Sequence, residues 1–156
     1  MARTPLQILQ AVLADPTNEA AVTSMVAPDA TYVALNFDNP ALKKIMPWAG
    51  TSTGPQAVLD AFSGVSRFWD REDFEIRTTL EDGAKVALFG SLTLRSKTLG
   101  KAATTPIAVL AEVYDGQVTY MQFMEDTFGT AASFRSGGSW RFRTFPDSEE
   151  VSVGDE

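Results

Sequence analysis

The hydrophobic positions of this chain change period twice. Near the N-terminus Leu6, Leu9, Val12 and Leu13 recur at three- and four-residue intervals, which puts them on one face of a helix. Thr4 and Pro5 supply a cap and a first-turn proline, so the spacing predicts a helix from Pro5 to about Ala14. Asp15-Pro16-Thr17-Asn18 ends it. Ala21, Val22, Met25 and Val26 outline a second, shorter helix that stops at Pro28-Asp29. The period then falls to two. Thr31 to Phe37 reads as a strand, with Tyr32, Ala34, Asn36 and Asp38 on one face and Val33, Leu35 and Phe37 on the other. The first of these faces mixes an aromatic ring with polar groups, which suits a polar-lined pocket better than a dry core. After an irregular stretch from Asn39-Pro40 to Gly50, the helical period returns at Gly54-Pro55. Val58, Leu59, Phe62, Val65, Phe68 and Trp69 form a long apolar stripe that should lie on a sheet.

The remainder alternates. Residues 74–80, 85–96, 103–114 and 117–126 read as strands, separated by turn signals at Glu81-Asp82-Gly83, Leu99-Gly100-Lys101 and Asp115-Gly116. A brief helical or irregular segment around 131–133 follows, and Gly137-Gly138 leads into an edge strand over 139–145. Helices segregated from an antiparallel meander specify an α+β fold. The expected architecture is a curved, mixed or antiparallel sheet wrapped over the long helix, a cone with a mouth. It forms one domain over 1–145, followed by an acidic tail over 146–156.

The last long strand carries the chemistry of greatest interest. It ends Tyr120-Met121-Gln122-Phe123-Met124-Glu125-Asp126, with two adjacent carboxylates. One of the two must face the apolar side of the strand, where an ionised carboxylate is costly. Simple alternation groups Asp126 with Tyr120, Gln122 and Met124 and sends Glu125 outward. Asp126 is then either a pocket acid–base group with a raised pKa or the N-cap of a segment starting at Thr127; both readings stand. Asp38 is likewise a second pocket carboxylate or part of an Asp-Asn-Pro turn. Tyr32 is a donor to a developing oxyanion or a core tyrosine. Asn36 could orient a substrate carbonyl, and Trp48, Phe62, Gln122 and Met124 are the expected ligand-lining side chains.

Composition sharpens this choice. The chain of 156 residues contains no His and no Cys, so acid–base chemistry falls to Asp, Glu, Tyr or Lys. Disulfides and thiolate chemistry are excluded, a metal site would rest on carboxylates alone, and neither metal nor cofactor is expected. The net charge is −7, but five acidic residues follow Phe145, leaving 13 basic against 15 acidic residues in the body. No basic footprint for nucleic acid is present. No apolar run approaches the roughly 18 residues of a membrane span, and the N-terminus lacks the pattern of a signal peptide. A soluble, cytoplasmic protein without a membrane partner is the expectation.

Two motifs resemble a known superfamily. Trp48-Ala49-Gly50 followed by Gly54-Pro55-Gln56-Ala57-Val58 resembles the opening of the central helix in SnoaL-like proteins. Tyr114-Asp115-Gly116-Gln117-Val118, with Asp126 ten residues past the turn, is similar to their closing hairpin. These proteins belong to the nuclear transport factor 2 (NTF2-like) and ketosteroid isomerase superfamily, and the resemblance runs from about Leu6 to Ser133. It implies a conical α+β fold, a homodimer and a deep apolar pocket for a small apolar ligand. It also implies a place for Asp126 where cyclases of the superfamily carry a catalytic aspartate, with Asp38 and Tyr32 nearest to the isomerase base and oxyanion donor. The arginine–aspartate pair of the superfamily's epoxide hydrolases has no match in residues 90–97. The reading that follows is a cofactor-free acid–base isomerase or polyketide cyclase-type enzyme acting on a small apolar carbonyl compound. The alternative is a non-catalytic ligand-binding or scaffold module.

Overall fold

The computed structural model describes residues 2–147 and 149–154. Met1, Ser148, Asp155 and Glu156 lie outside the described residues, so the last two acids of the expected tail do too. The first helix, α1 (Pro5–Ala14), begins as its sequence predicts. The Thr4 hydroxyl accepts from the Gln7 amide and the Gln7 side chain accepts from the Thr4 amide, a reciprocal capping box. Helix α2 spans Glu19–Met25 with Asn18 as its cap. Val26 belongs to the next element, β1 (Val26–Ala34), which runs straight through Pro28-Asp29. It can do so because its pairing is irregular between Val26 and Thr31, where a proline without an amide hydrogen fits.

The stretch expected to be irregular contains a short helix, α3 (Pro40–Ile45), and a short strand, β2 (Gly50–Thr53). The long helix α4 (Gly54–Phe68) follows without a linker. Its first residue has φ +83°, and a Cβ there would sit 2.8 Å from the Pro28 carbonyl oxygen. Only glycine fits so close to β1, which gives the Gly-Pro pair its structural reason. Strands β3 (Trp69–Asp82), β4 (Lys85–Ser96), β5 (Ala102–Tyr114) and β6 (Gln117–Glu125) form the meander, and α5 (Thr127–Ala132) closes it; β3 starts five residues before the expected strand, at Trp69, the last position of the predicted helix stripe.

Six strands form one curved, open sheet in the order β2-β1-β6-β5-β4-β3. Only the β1–β6 pair is parallel. Helix α4 packs across β1 and buries Val58, Leu59 and Ala61 against Val109, Ala111 and Met121 in one cluster. A second cluster gathers Trp69, Leu92, Leu94 and Ile107 under α3 and α5. The predicted edge strand is only three residues long, β7 (Trp140–Phe142), and it does not join the main sheet. It pairs with β8 (Val151–Val153), which lies within the segment read as an acidic tail. Among the described residues no helix is long and apolar enough to cross a membrane.

Candidate functional site

A cavity of about 510 Å³ opens between α4, the concave face of the sheet and the loop after α1. Its walls are aromatic: Tyr32 from β1, Trp48 from the turn before β2, Phe62 from α4, Trp69 and Phe74 from β3, and Phe123 from β6. Phe62 meets Phe123 edge-on at 6.1 Å and Tyr32 at 6.4 Å, and Trp48 meets Trp69 edge-on at 5.1 Å. Such pairings fix ring orientation as well as burying area. The exposed end carries Asp70, Arg71 and Lys97, with Lys97 3.4 Å from Asp70.

Three carboxyl groups line the cavity; Asp15 and Asp70 are exposed at its mouth, and Glu125 is the one set among the aromatic walls. Alternation along residues 120–126 is kept, but its inward face is the opposite of the expected one, and a bulge just before this stretch lets Val118 and Met121 both face inward. Val118 pairs with Val113 and Tyr120 with Glu112, so β6 advances two residues while β5 advances one. Thr119 is the extra residue, and its hydroxyl donates to the Glu112 carbonyl. Beyond it the inward set is Met121, Phe123 and Glu125. Gln122 and Met124 fall on the other face, where Gln122 accepts from the Tyr120 hydroxyl at 2.8 Å and Met124 is exposed.

Asp126 is exposed and is the N-cap of α5. Its Oδ1 accepts from the amides of Phe128 and Gly129, both at 3.1 Å. Of the two sequence readings for Asp126, the geometry realises the cap. Its own amide donates to Thr105 Oγ1 at 2.8 Å, which locks the β6–α5 corner to β5.

Glu125 is held at the same corner. Thr130 Oγ1 lies 2.9 Å from Glu125 Oε1 and 3.0 Å from the Asp126 carbonyl oxygen. Burial pushes the Glu125 carboxyl from 4.5 up to about 7; the Thr130 hydrogen bond opposes the rise and the negative charge of Asp126 adds to it. Tyr32 is buried too. Its phenol is pushed well above its usual range, by burial first and then by the charge on Glu125. Its hydroxyl has no hydrogen-bond partner among the described residues. The pair offers a carboxyl that exchanges its proton near neutrality beside a phenol that stays a donor.

The other expected site residues separate. Tyr32, Trp48 and Phe62 line the cavity, as expected. Asn36 and Asp38 do not, because β1 ends at Ala34 and Leu35 adopts φ +69°. That left-handed residue ends the alternation: Leu35 donates its amide to the Phe123 carbonyl and lines the cavity. Asn36 stays half-buried outside it, and Asp38 is exposed. Sequence reasoning missed Glu125. The signal was the Met121–Phe123 pair, whose apolar character marks the inward face. Among the described residues no group of three or more His, Cys, Asp or Glu converges to hold a metal ion.

Comparison with known proteins adds to this geometry. No family model matches the chain. The patulin synthesis protein F of Aspergillus clavatus is 51% identical over 118 residues, which are 74% of this chain and 60% of that protein. The patulin biosynthesis cluster protein F of Penicillium expansum is 45% identical over 143 residues, 88% of this chain and 71% of that protein. This chain belongs to the family of these two fungal proteins. It spans less than two thirds of the Aspergillus member's length.

Among solved structures, an NTF2-like protein of Burkholderia thailandensis superposes on this family member with a TM-score of 0.71 at 22% identity, covering 85% of this chain and 98% of that one. TerC co-crystallized with polyporic acid gives 0.66 at 20% identity, covering 83% and 97%. SnoaL-like and ketosteroid isomerase-like folds are also among the neighbours. The fold is NTF2-like.

Proposed function

We propose that this protein is a cofactor-free acid–base catalyst of a small-molecule biosynthetic pathway, acting on a small apolar carbonyl compound held in the cavity. The observation that carries the reading is Glu125: a carboxyl buried in an aromatic cavity, without a cationic partner, titrating near 7. A charge kept there at a cost in stability is characteristic of functional sites. The cavity volume lies within the roughly 300–1,000 Å³ of small-molecule sites. The names of the two fungal relatives support a biosynthetic setting, and the fold neighbour TerC was crystallised with polyporic acid.

In this mechanism the Glu125 carboxylate takes a proton from the carbon beside the substrate carbonyl. The Tyr32 hydroxyl donates to the carbonyl oxygen as negative charge develops on it. Glu125, whose acid proton exchanges with solvent, then gives a proton to a different carbon of the conjugated enolate, so the bonding pattern shifts with no net gain or loss of protons. Near neutrality a group with a pKa of about 7 is present in both forms and serves both half-steps.

Incubation with a panel of small cyclic enones in D2O, read by mass spectrometry, tests this directly. The wild-type chain should exchange carbon-bound hydrogen for deuterium. E125Q should slow exchange by about 100-fold or more, the lower end of what a positioned general base contributes. Y32F should slow it by about tenfold or more, because it removes one hydrogen bond to a developing charge. Equal exchange by E125Q refutes the mechanism. Binding across the panel with no exchange would leave a ligand-binding module instead.

A further inference from the structure

The Thr130 hydroxyl has one hydrogen and two acceptors within reach, Glu125 Oε1 at 2.9 Å and the Asp126 carbonyl at 3.0 Å. That arrangement satisfies both protonation states of the acid. When Glu125 is ionised, the hydroxyl donates to Oε1. When Glu125 is protonated on Oε1, the carboxyl donates to Thr130 Oγ1, and the threonine hydrogen turns to the Asp126 carbonyl. In either state Glu125 Oε1, Thr130 Oγ1 and the Asp126 carbonyl, which also accepts from the Thr130 amide, are all paired. Glu125 Oε2 has no partner among the described residues, so it is the oxygen left for a ligand in the cavity.

Thr130 is fixed for this task. It is fully buried, and its carbonyl accepts from Ser133 Oγ at 2.7 Å. The Trp69 indole donates to that same Ser133 Oγ at 2.8 Å, and Ser96 Oγ donates to the Ser133 carbonyl at 2.6 Å. Helix α5 is thus tied through Ser133 to Trp69 of the cavity wall, and Thr130 cannot shift without disturbing both.

We infer that Thr130 is the positioning residue of Glu125: its hydroxyl holds Oε1 in both protonation states and presents Oε2 to the substrate. The inference rests on the proposed role of Glu125, but its test does not require turnover. The titratable groups that act on Glu125 are Asp126 beside it and Tyr32 across from it on β1. Asp15, Asp70, Arg71 and Lys97 line the exposed end of the same cavity.

Selective 13C labelling of glutamate in the full chain lets the Glu125 carboxyl be titrated by NMR in T130V and T130S. A hydrogen bond to a charged group is worth enough to move a pKa by about one unit. T130V, which keeps the side-chain shape without the hydroxyl, should raise the Glu125 midpoint by about that amount. T130S should restore it. In the exchange assay the acidic limb of the pH profile, where the Glu125 base is lost to protonation, should move with the NMR midpoint. An unmoved midpoint in T130V, or a T130S midpoint that follows T130V, overturns the positioning role. A midpoint that moves in a chain showing no exchange overturns the catalytic reading of Glu125 and keeps the hydrogen-bond assignment. Should T130V fold too poorly to titrate, T130A removes the same hydroxyl, and the same results decide.

Discussion

The inner end of the cavity and the outer side of the β6–α5 corner hold the same functional group one residue apart. Glu125 points into a wall of aromatic rings, with one hydroxyl to hold it and no cation beside it. Asp126 points into solvent, with two backbone amides at the start of α5 to accept from. Amides bond the ionised form of a carboxylate, and water solvates it as well. An apolar wall does neither, so the neutral acid gains at Glu125. What separates the two environments is one step along the strand end: adjacent positions face opposite sides, so one carboxyl enters the cavity and the other caps α5.

The contrast breaks most visibly in turnover. E125Q should lose deuterium exchange by about 100-fold or more. D126A should keep most of it, because Asp126 lies outside the cavity. If D126A loses as much as E125Q, the roles assigned to the pair are wrong.

Stability against pH gives the next largest effect. The folded chain holds the Glu125 proton up to about pH 7, whereas the unfolded chain releases it near 4.5. Below pH 4.5 both states are protonated and Glu125 costs nothing. Between 4.5 and 7 the unfolded chain ionises first, so stability falls as pH rises, and above 7 the loss is constant. A shift of this size corresponds to about 3 kcal/mol. Urea denaturation of E125Q and wild type at pH 4.5 and pH 8 should show the variant gaining by about that amount relative to wild type. A pH-independent difference would mean that Glu125 is not desolvated.

The cap has a smaller effect of opposite kind. D126A should lose about 1 kcal/mol of stability at neutral pH, the usual value of an N-cap. Gly129 shows how tightly that cap is built: a Cβ there would sit 2.7 Å from Asp126 Oδ2.

How much of this was legible follows from how local each cause is. Helices α1 and α4, the turns at Gly83 and Gly116 and strands β4 to β6 rest on neighbouring residues, and their patterns read correctly; β3 begins at Trp69, which continued the helix stripe in the pattern. Tyr32 and Phe62 reach the cavity wall from β1 and α4, and Trp48 from a turn within one of the superfamily motifs. Glu125 was misread because Asp126 was taken as the inward carboxyl, although Met121 and Phe123, four and two residues before Glu125, mark the inward face. Asn36 and Asp38 were misplaced because alternation was extended past Ala34, where Leu35 turns left-handed to reach Phe123. Short α3 and β2 carry too few residues to show a period at all.

The finest test separates the charge of Asp126 from its cap. D126N keeps an equally good N-cap, so stability at neutral pH should stay close to wild type. It removes the negative charge that raises the Glu125 pKa, so the Glu125 midpoint should fall in the NMR titration. Burial is the larger cause and is untouched, so the midpoint should remain above the ordinary carboxylate range. D126A should lower the midpoint in the same direction while also losing the cap. Agreement between the two midpoints, with a difference in stability, would assign the charge to the cavity's chemistry and the hydrogen bonds to the helix. A D126N midpoint equal to wild type would show that the apolar wall alone sets Glu125, and that its neighbour across the strand is electrically silent.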